Sequence, residues 1–207
     1  MERIENLDLC AKCGGLCCLK GPGKYNPNDF ASDGGLTQQM VNDALDDGRA
    51  IISTTLVSVE GSQAAPVFTL TARGKNREPL SLCHEAASCA LLVDDRCRYA
   101  LDERPYECAM LVPSENPAEC RLPDNLLMEL LWIDHQRTMR SVIEQRTGHH
   151  WRKEMVEQVL HHKDAEGYSQ GIYDYLTKDG LVEDDEEADE TIAEWQLSRR
   201  LAAKAAK

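Results

Sequence analysis

Hydrophobic and polar positions change period along this chain, and the changes mark its elements. Leu36, Met40, Val41, Ala44 and Leu45 recur at helical spacing within LTQQMVNDALDD and stop at Gly48, so a short amphipathic helix is predicted over Leu36–Asp47. Next come IISTTLVSVE (Ile51–Glu60) and PVFTLTA (Pro66–Ala72), β-branched and partly alternating, joined by GSQAA. That pattern predicts a hairpin. The helical period returns in Asn125–Thr147, closed by Gly148, then in Trp151–His162, in Tyr168–Lys178, closed by Gly180, and from about Glu186 to Ala206. The last segment opens on EDDEEADE and ends in Arg and Lys, which matches the helix dipole. Its acidic run therefore reads as a solvated helix start rather than a binding site.

The cysteines stop at Cys120, and LPD just beyond offers an aspartate as helix N-cap. This predicts a cysteine-bearing region at 1–123 and a helical C-terminal region at 124–207. A chain of 207 residues with 42% hydrophobic content can bury a modest core, and aromatics at 5% make that core largely aliphatic. Nine cysteines exceed ordinary usage but fall short of a small disulfide scaffold. Met1 is followed by ERIENLDLC, with neither the basic nor the apolar region of a secretory signal. A cytoplasmic setting, where reductants keep thiols reduced, is the expectation, and the odd count leaves one thiol over in any all-disulfide scheme. No apolar run is long enough to span a membrane. The net charge is -13 with no stripe of Lys and Arg, which argues against nucleic acid as a partner. Ser-His-Asp order, a phosphate loop and a dinucleotide fingerprint are all missing, so hydrolase and nucleotide-binding readings have no support.

The chemistry lies in the cysteines. Cys10 and Cys13 have the CxxC spacing that lets two sulfurs converge on one ion, and Gly14 and Gly15 supply the freedom such a turn needs. Cys17 and Cys18 are neighbours, whose side chains ordinarily point apart. They suggest two metal centres, or one ligand and one spare. The glycines and prolines of GPGKYNPN extend this stretch as irregular backbone that metal binding would order. Cys83, Cys89, Cys97 and Cys108 form a second group, as if a later loop shared ions with the first. Eight thiols could fill two closed zinc sites, or four could hold an iron–sulfur cluster with the rest on a second ion. Cys120 is either a further ligand or a packed thiol, and His84 is a candidate nitrogen ligand. His149, His150, His161 and His162 read as solvated helix-terminal histidines, and His135 as lying on the polar side of its helix.

CAKCGGLCC followed by CALLVDDRCRYALDERPYEC resembles the YkgJ-type cysteine-cluster family, described as zinc- or iron-chelating. The family's pattern is a CxxCxxCC opening, a cysteine before a hydrophobic pair, CxxY, and RPxxC. The matching positions here are Cys10, Cys13, Cys17 and Cys18, then Cys89 before Leu91 and Leu92, then Cys97, Tyr99, Arg104, Pro105 and Cys108. The opening has one residue more than the pattern, Tyr99 comes one position early, and Cys83 and Cys120 fall outside it. The resemblance implies metal binding; some relatives, such as flagellin lysine methylases, carry a similar cluster beside a catalytic function. A thiolate-rich centre carries excess negative charge, so an Arg104 guanidinium or a Tyr99 phenol donating toward sulfur would offset it. For Arg104 the alternative is a surface salt bridge with Asp102 or Glu103.

The expected fold class is α+β and mainly helical: an irregular cysteine-rich part stapled by metal and carrying a short hairpin, then a helical C-terminal part. The expected function is a cysteine-ligated metalloprotein binding iron, as an iron–sulfur cluster or an iron–thiolate centre, beside a helical part that shapes a pocket for a modification reaction. The alternative is a zinc-stapled module without catalysis that binds a protein or peptide partner.

Overall fold

The computed structural model describes residues 7–31, 35–57, 65–82, 88–116, 119–121 and 125–161. Its centre is one antiparallel hairpin, β1 (Ala50–Val57) and β2 (Ala65–Ala72), in a register that runs from Ala50 opposite Ala72 to Val57 opposite Ala65. Consecutive residues of both strands are buried, so both faces of the hairpin are covered. That is why the sequence alternates only in part: a strand covered on both sides selects apolar residues at successive positions.

Around the hairpin lie α3 (Gln38–Asp46), α6 (Gln136–Thr147) and α7 (Trp151–His161). Thr37 caps α3, its hydroxyl accepting from the Met40 N–H at 3.3 Å. Val41, Ala44 and Leu45 on one face of α3, and Met139, Val142 and Ile143 on one face of α6, join Phe68, Leu70, Leu82, Trp132 and Trp151 in a single core. This core draws on residues from both sides of position 123. Phe68 meets the Trp151 ring edge-on with centroids 5.4 Å apart, and the Arg140 guanidinium stands over the Trp151 ring at 4.8 Å.

Two features correct the sequence reading. The molecule is mixed α+β rather than mainly helical, because the hairpin is the core on which the helices pack and not an appendage of an irregular part. The first cysteines also sit on helical backbone, in α1 (Leu7–Cys13) and α2 (Leu16–Lys20), rather than on loop. A third difference is local. The helix predicted over Asn125–Thr147 breaks into α5 (Asn125–Leu130), a 3-10 turn at Ile133–His135, and α6. The break accompanies full burial of Trp132, whose indole N–H donates to the Tyr25 carbonyl at 2.9 Å. The expected helices at Tyr168–Lys178 and 186–206 lie outside the described residues, as do Pro123 and Asp124. No helix among the described residues is long and apolar enough to cross a membrane.

Strand edges need hydrogen-bond partners, and here side chains and short segments supply them. Along β1, Pro79 and Ser81 bond both sides of Ile52, at 2.9 and 3.0 Å. Along β2, Tyr25 donates to Leu70 and Ala72 donates to Gly23, at 2.9 and 2.8 Å. Among the described residues no backbone group pairs with Phe68 on that side; the Gln136 amide takes its N–H and feeds its C=O, both at 2.9 Å. Replacing Gln136 with Ala leaves two buried peptide groups unpaired. Urea unfolding is expected to show a loss of about 2 kcal/mol, whereas Gln39→Ala on the exposed face of α3 should stay within about 0.5 kcal/mol. Equal effects of the two would disprove the role of the Gln136 amide.

Candidate metal centre

The cysteine segments converge because each is tied to β2, to its extension, or to another segment so tied. Gly14 and Gly15, at φ 62° and 69°, turn α1 into α2. Gly15 packs so closely on Leu92 that a Cβ there would overlap its methyl group. Leu92 belongs to β3 (Leu92–Val93), which pairs with β4 (Arg96–Cys97) through Asp94 and Asp95, both at positive φ as a type I′ turn requires. Cys97 thereby stands opposite Leu92. Beyond β2, Arg73 and Lys75 pair with Ala90 and Ser88 at 2.7 and 2.8 Å, which fixes Cys89 between them. The Cys89 N–H then donates to the Cys18 carbonyl at 2.7 Å, joining α2 to this segment directly.

Cys108 lies on α4 (Tyr106–Ala109), opened by the buried Pro105. Glu107 and Lys24 bond reciprocally, the Glu107 N–H to the Lys24 carbonyl at 3.1 Å and the Lys24 N–H to the Glu107 carboxylate at 2.7 Å. Asp29 accepts the Tyr106 N–H at 3.0 Å. So held, the Cys108 sulfur fills the space where a side chain on Gly23 would begin.

The result is a chain of sulfurs. The Cys18 thiol stands between those of Cys17 and Cys89 and is hydrogen-bonded to each. Cys17 faces solvent, Cys18 is half-buried against the core, and Cys89 is buried. Hydrogen bonding with Cys18 draws the Cys17 thiol down to about 6, helped by backbone N–H groups and the Arg104 charge. It draws Cys89 down to about 7, with further help from the backbone of Leu91 and Leu92. Cys18 itself is pushed up, by those same hydrogen bonds and then by burial. Cys108 is pushed up chiefly by burial, then by the charges of Cys89, Glu107, Cys17 and Cys97. Two thiolates at the ends of a hydrogen-bonded chain, with two more sulfurs within electrostatic range, form a soft donor set suited to iron, zinc or an iron–sulfur cluster. The space that glycine leaves for the Cys108 sulfur fits the same reading.

Of the residues expected from sequence, Cys17, Cys18 and Cys89 are in hydrogen-bonded contact, Cys108 acts electrostatically on Cys18, and Cys97 acts on Cys108. Cys13 is half-buried at the end of α1. The Cys10 side chain, Cys83 and His84 lie outside the described residues. Arg104 acts on Cys17, and its Nε donates to the Tyr99 carbonyl at 3.0 Å; the Tyr99 ring packs against the core beneath the Arg98 guanidinium. Cys120 accepts the Ser114 N–H at 3.4 Å within its own loop. Among the described residues no three sulfurs lie mutually within 4.8 Å, whereas ligand atoms of His149, Glu154 and Glu157 do.

Sequence reading missed the groups that surround Cys108. Glu107, buried and with its carboxyl raised by that burial, Glu129, and the Lys24 ammonium 2.6 Å from Glu129 form a charged floor beside it. Tyr25, raised by burial, is the second missed neighbour. Neither stands in a cysteine motif, so spacing carried no signal for them. Comparison with protein-family models, with curated proteins and with solved structures finds no match for the chain.

The thiol chain has a direct readout. In reduced, metal-free protein, iodoacetamide labelling followed by mass spectrometry is expected to find Cys17 slow below pH 6 and fast above it, since the thiolate is the nucleophile. Cys18→Ala removes the largest cause of the lowering and should move that midpoint up toward the ordinary thiol range, near pH 8.5. A wild-type midpoint already in that range would contradict the hydrogen-bonded chain.

Proposed function

We propose that this chain is a cytoplasmic, cysteine-ligated metalloprotein related to the YkgJ-type cluster proteins, and that it holds iron as an iron–sulfur cluster or an iron–thiolate centre. The observation that carries the proposal is the thiol chain Cys17–Cys18–Cys89, built from segments far apart in sequence, with Cys108 close enough to act on Cys18 and Cys97 close enough to act on Cys108. These five sulfurs would hold the metal, and Cys10, Cys13 and Cys83 are the remaining candidate ligands. Such a centre would supply one-electron or Lewis-acid chemistry when bound. The chain's own residues have separable roles. Arg104, fixed on the Tyr99 carbonyl, offsets thiolate charge at Cys17, and Tyr99 with Leu91 and Leu92 closes the apolar side. Cys17 is the sulfur that meets solvent.

Iron is preferred to zinc because the thiols exceed what one structural zinc needs and because an exposed sulfur suits a centre that is approached from outside. The zinc-stapled reading is the rival outcome of the test. Protein purified without oxygen is expected to be coloured, with iron in the metal analysis and either acid-labile sulfide or iron–thiolate absorption. Cys89→Ser should lower the metal content at least severalfold, and Cys120→Ser should leave it unchanged. Gly23→Ala, whose methyl group needs the place of the Cys108 sulfur, should also lower it. A colourless protein with stoichiometric zinc overturns the iron assignment. A metal-free chain that is fully folded and indifferent to EDTA overturns the metalloprotein itself.

A further inference from the structure

The geometry points to a second cation site, independent of the sulfur cluster, in which His149 Nε2, Glu154 Oε2 and Glu157 Oε2 bind one divalent ion of the zinc or manganese class. His149 Nε2 lies 3.1 Å from the Glu154 oxygen and 3.7 Å from the Glu157 oxygen, and the three ligand atoms are all within 4.8 Å of one another. Four donors around an ion at roughly 2.0–2.1 Å stand about 3.3 Å apart. The two separations from His149 therefore need adjustments of a few tenths of an ångström.

The three residues are brought together by local structure with causes of its own. Glu154 and Glu157 are three residues apart on α7 and share a face. His149 reaches them because Gly148 ends α6 at φ 79° and folds the chain back. The Thr147 hydroxyl holds that turn by donating to the His149 carbonyl at 3.1 Å. Glu154 is fixed from behind: its other oxygen accepts from the Gln158 amide at 2.6 Å. The same amide group takes the Leu82 N–H at 2.7 Å and donates to the Leu80 carbonyl at 3.2 Å. A carboxylate oriented through an amide that is itself held by backbone is how metal sites steady their ligands. A bare surface ion pair has no such backing. The nearby Arg146 does not neutralise the carboxylates, because its guanidinium is engaged by Asn42 at 2.7 Å and Asp46 at 2.8 Å.

Glu154 and Gln158 also line a cleft of about 490 Å³, together with Asn76, Arg77 and Arg146. An ion held by three protein atoms keeps coordination positions for water or a small ligand. Imidazole and carboxylate are harder donors than thiolate, so the site selects a different ion from the one proposed at the cysteines.

Manganese is the discriminating probe, since thiolates compete poorly for it. With the full chain, loss of the free Mn²⁺ resonance on titration is expected to show one bound ion, displaced by zinc. Pulsed resonance of the bound ion should carry coupling to an imidazole nitrogen. His149→Gln should abolish that coupling, and both it and Glu157→Gln should weaken binding at least about tenfold. Glu157 has 39% of its side-chain surface exposed, so its variant is expected to fold normally, as circular dichroism checks. Cys17→Ser should bind manganese like wild type, which separates this site from the sulfur cluster. No bound manganese at millimolar concentration, or wild-type affinity in both variants, overturns the proposal.

Discussion

The constraint from which the rest follows is that a two-stranded hairpin has two unpaired edges, and most of both strands is buried here. Where an edge is buried, its peptide groups need partners, because water cannot serve them. The partners are the parts of the chain that carry the chemistry. Gly23–Tyr25 bonds Leu70 and Ala72 of β2, and in doing so holds Glu107 and therefore Cys108. Ser88–Ala90 bonds the continuation of β2 and so fixes Cys89. Gln136 completes Phe68, and that bond sets where α6 begins. On the β1 side, the 79–81 segment bonds Ile52 and is in turn bonded by Gln158. Edge satisfaction, a requirement of folding, thus determines which residues meet.

Charge sharpens this arrangement. The protein carries -13, and thiolates at Cys17 and Cys89 would add to that. Near Cys108 the Glu107 and Glu129 carboxylates are buried, Glu129 paired with the Lys24 ammonium and Glu107 accepting the Lys24 backbone N–H. Burial has raised the Glu107 carboxyl and the Cys108 thiol alike, since neither can be charged cheaply next to the other. Hydrogen bonding with Cys17 and Cys89 likewise holds the proton on Cys18 while it favours ionisation of the other two. A bound cation would replace that proton and let all the sulfurs ionise together, so under the proposed function the folded protein and its metal stabilise each other.

What was legible in sequence was what depends on local pattern. The α3 period and the β1–β2 segments stand out because their neighbours in sequence are also their neighbours in structure. The cysteine spacing marked Cys17 and Cys18 as neighbours, but that Cys89 joins them depends on strand pairing far along the chain. The hairpin's centrality was not legible, since only the covering of both its faces makes it the core. Nor was the break after Leu130, which follows from Trp132 reaching the Tyr25 carbonyl across the molecule. The opening cysteines looked like loop because glycines surround them, yet two glycines sufficed to join two short helices. Cys17 and Cys18 illustrate the limit of a rule. As neighbours they do face different ways, one to solvent and one to the core, but thiols so close on one helix still bond each other. His149 looked like a solvated histidine because its partners, Glu154 and Glu157, are brought to it by a turn at Gly148.

The two proposed sites hang from opposite edges of one hairpin, and this placement bears on how they could coexist. The sulfurs are tied to β2 through Gly23 and the 73–75 extension, whereas Glu154 is tied through Gln158 to the segment that pairs with β1. No residue is shared between them. Were the donors mixed, one imidazole and a pair of carboxylates among the thiolates, a single soft ion could capture the whole set and leave the harder ion nothing. Holding soft and hard donors on segments tied to different strands, with no residue in common, would limit that competition. The peptide hydrogen bonds that keep the donors apart are the ones that the edges require in any case, so the chain obtains the segregation from its fold.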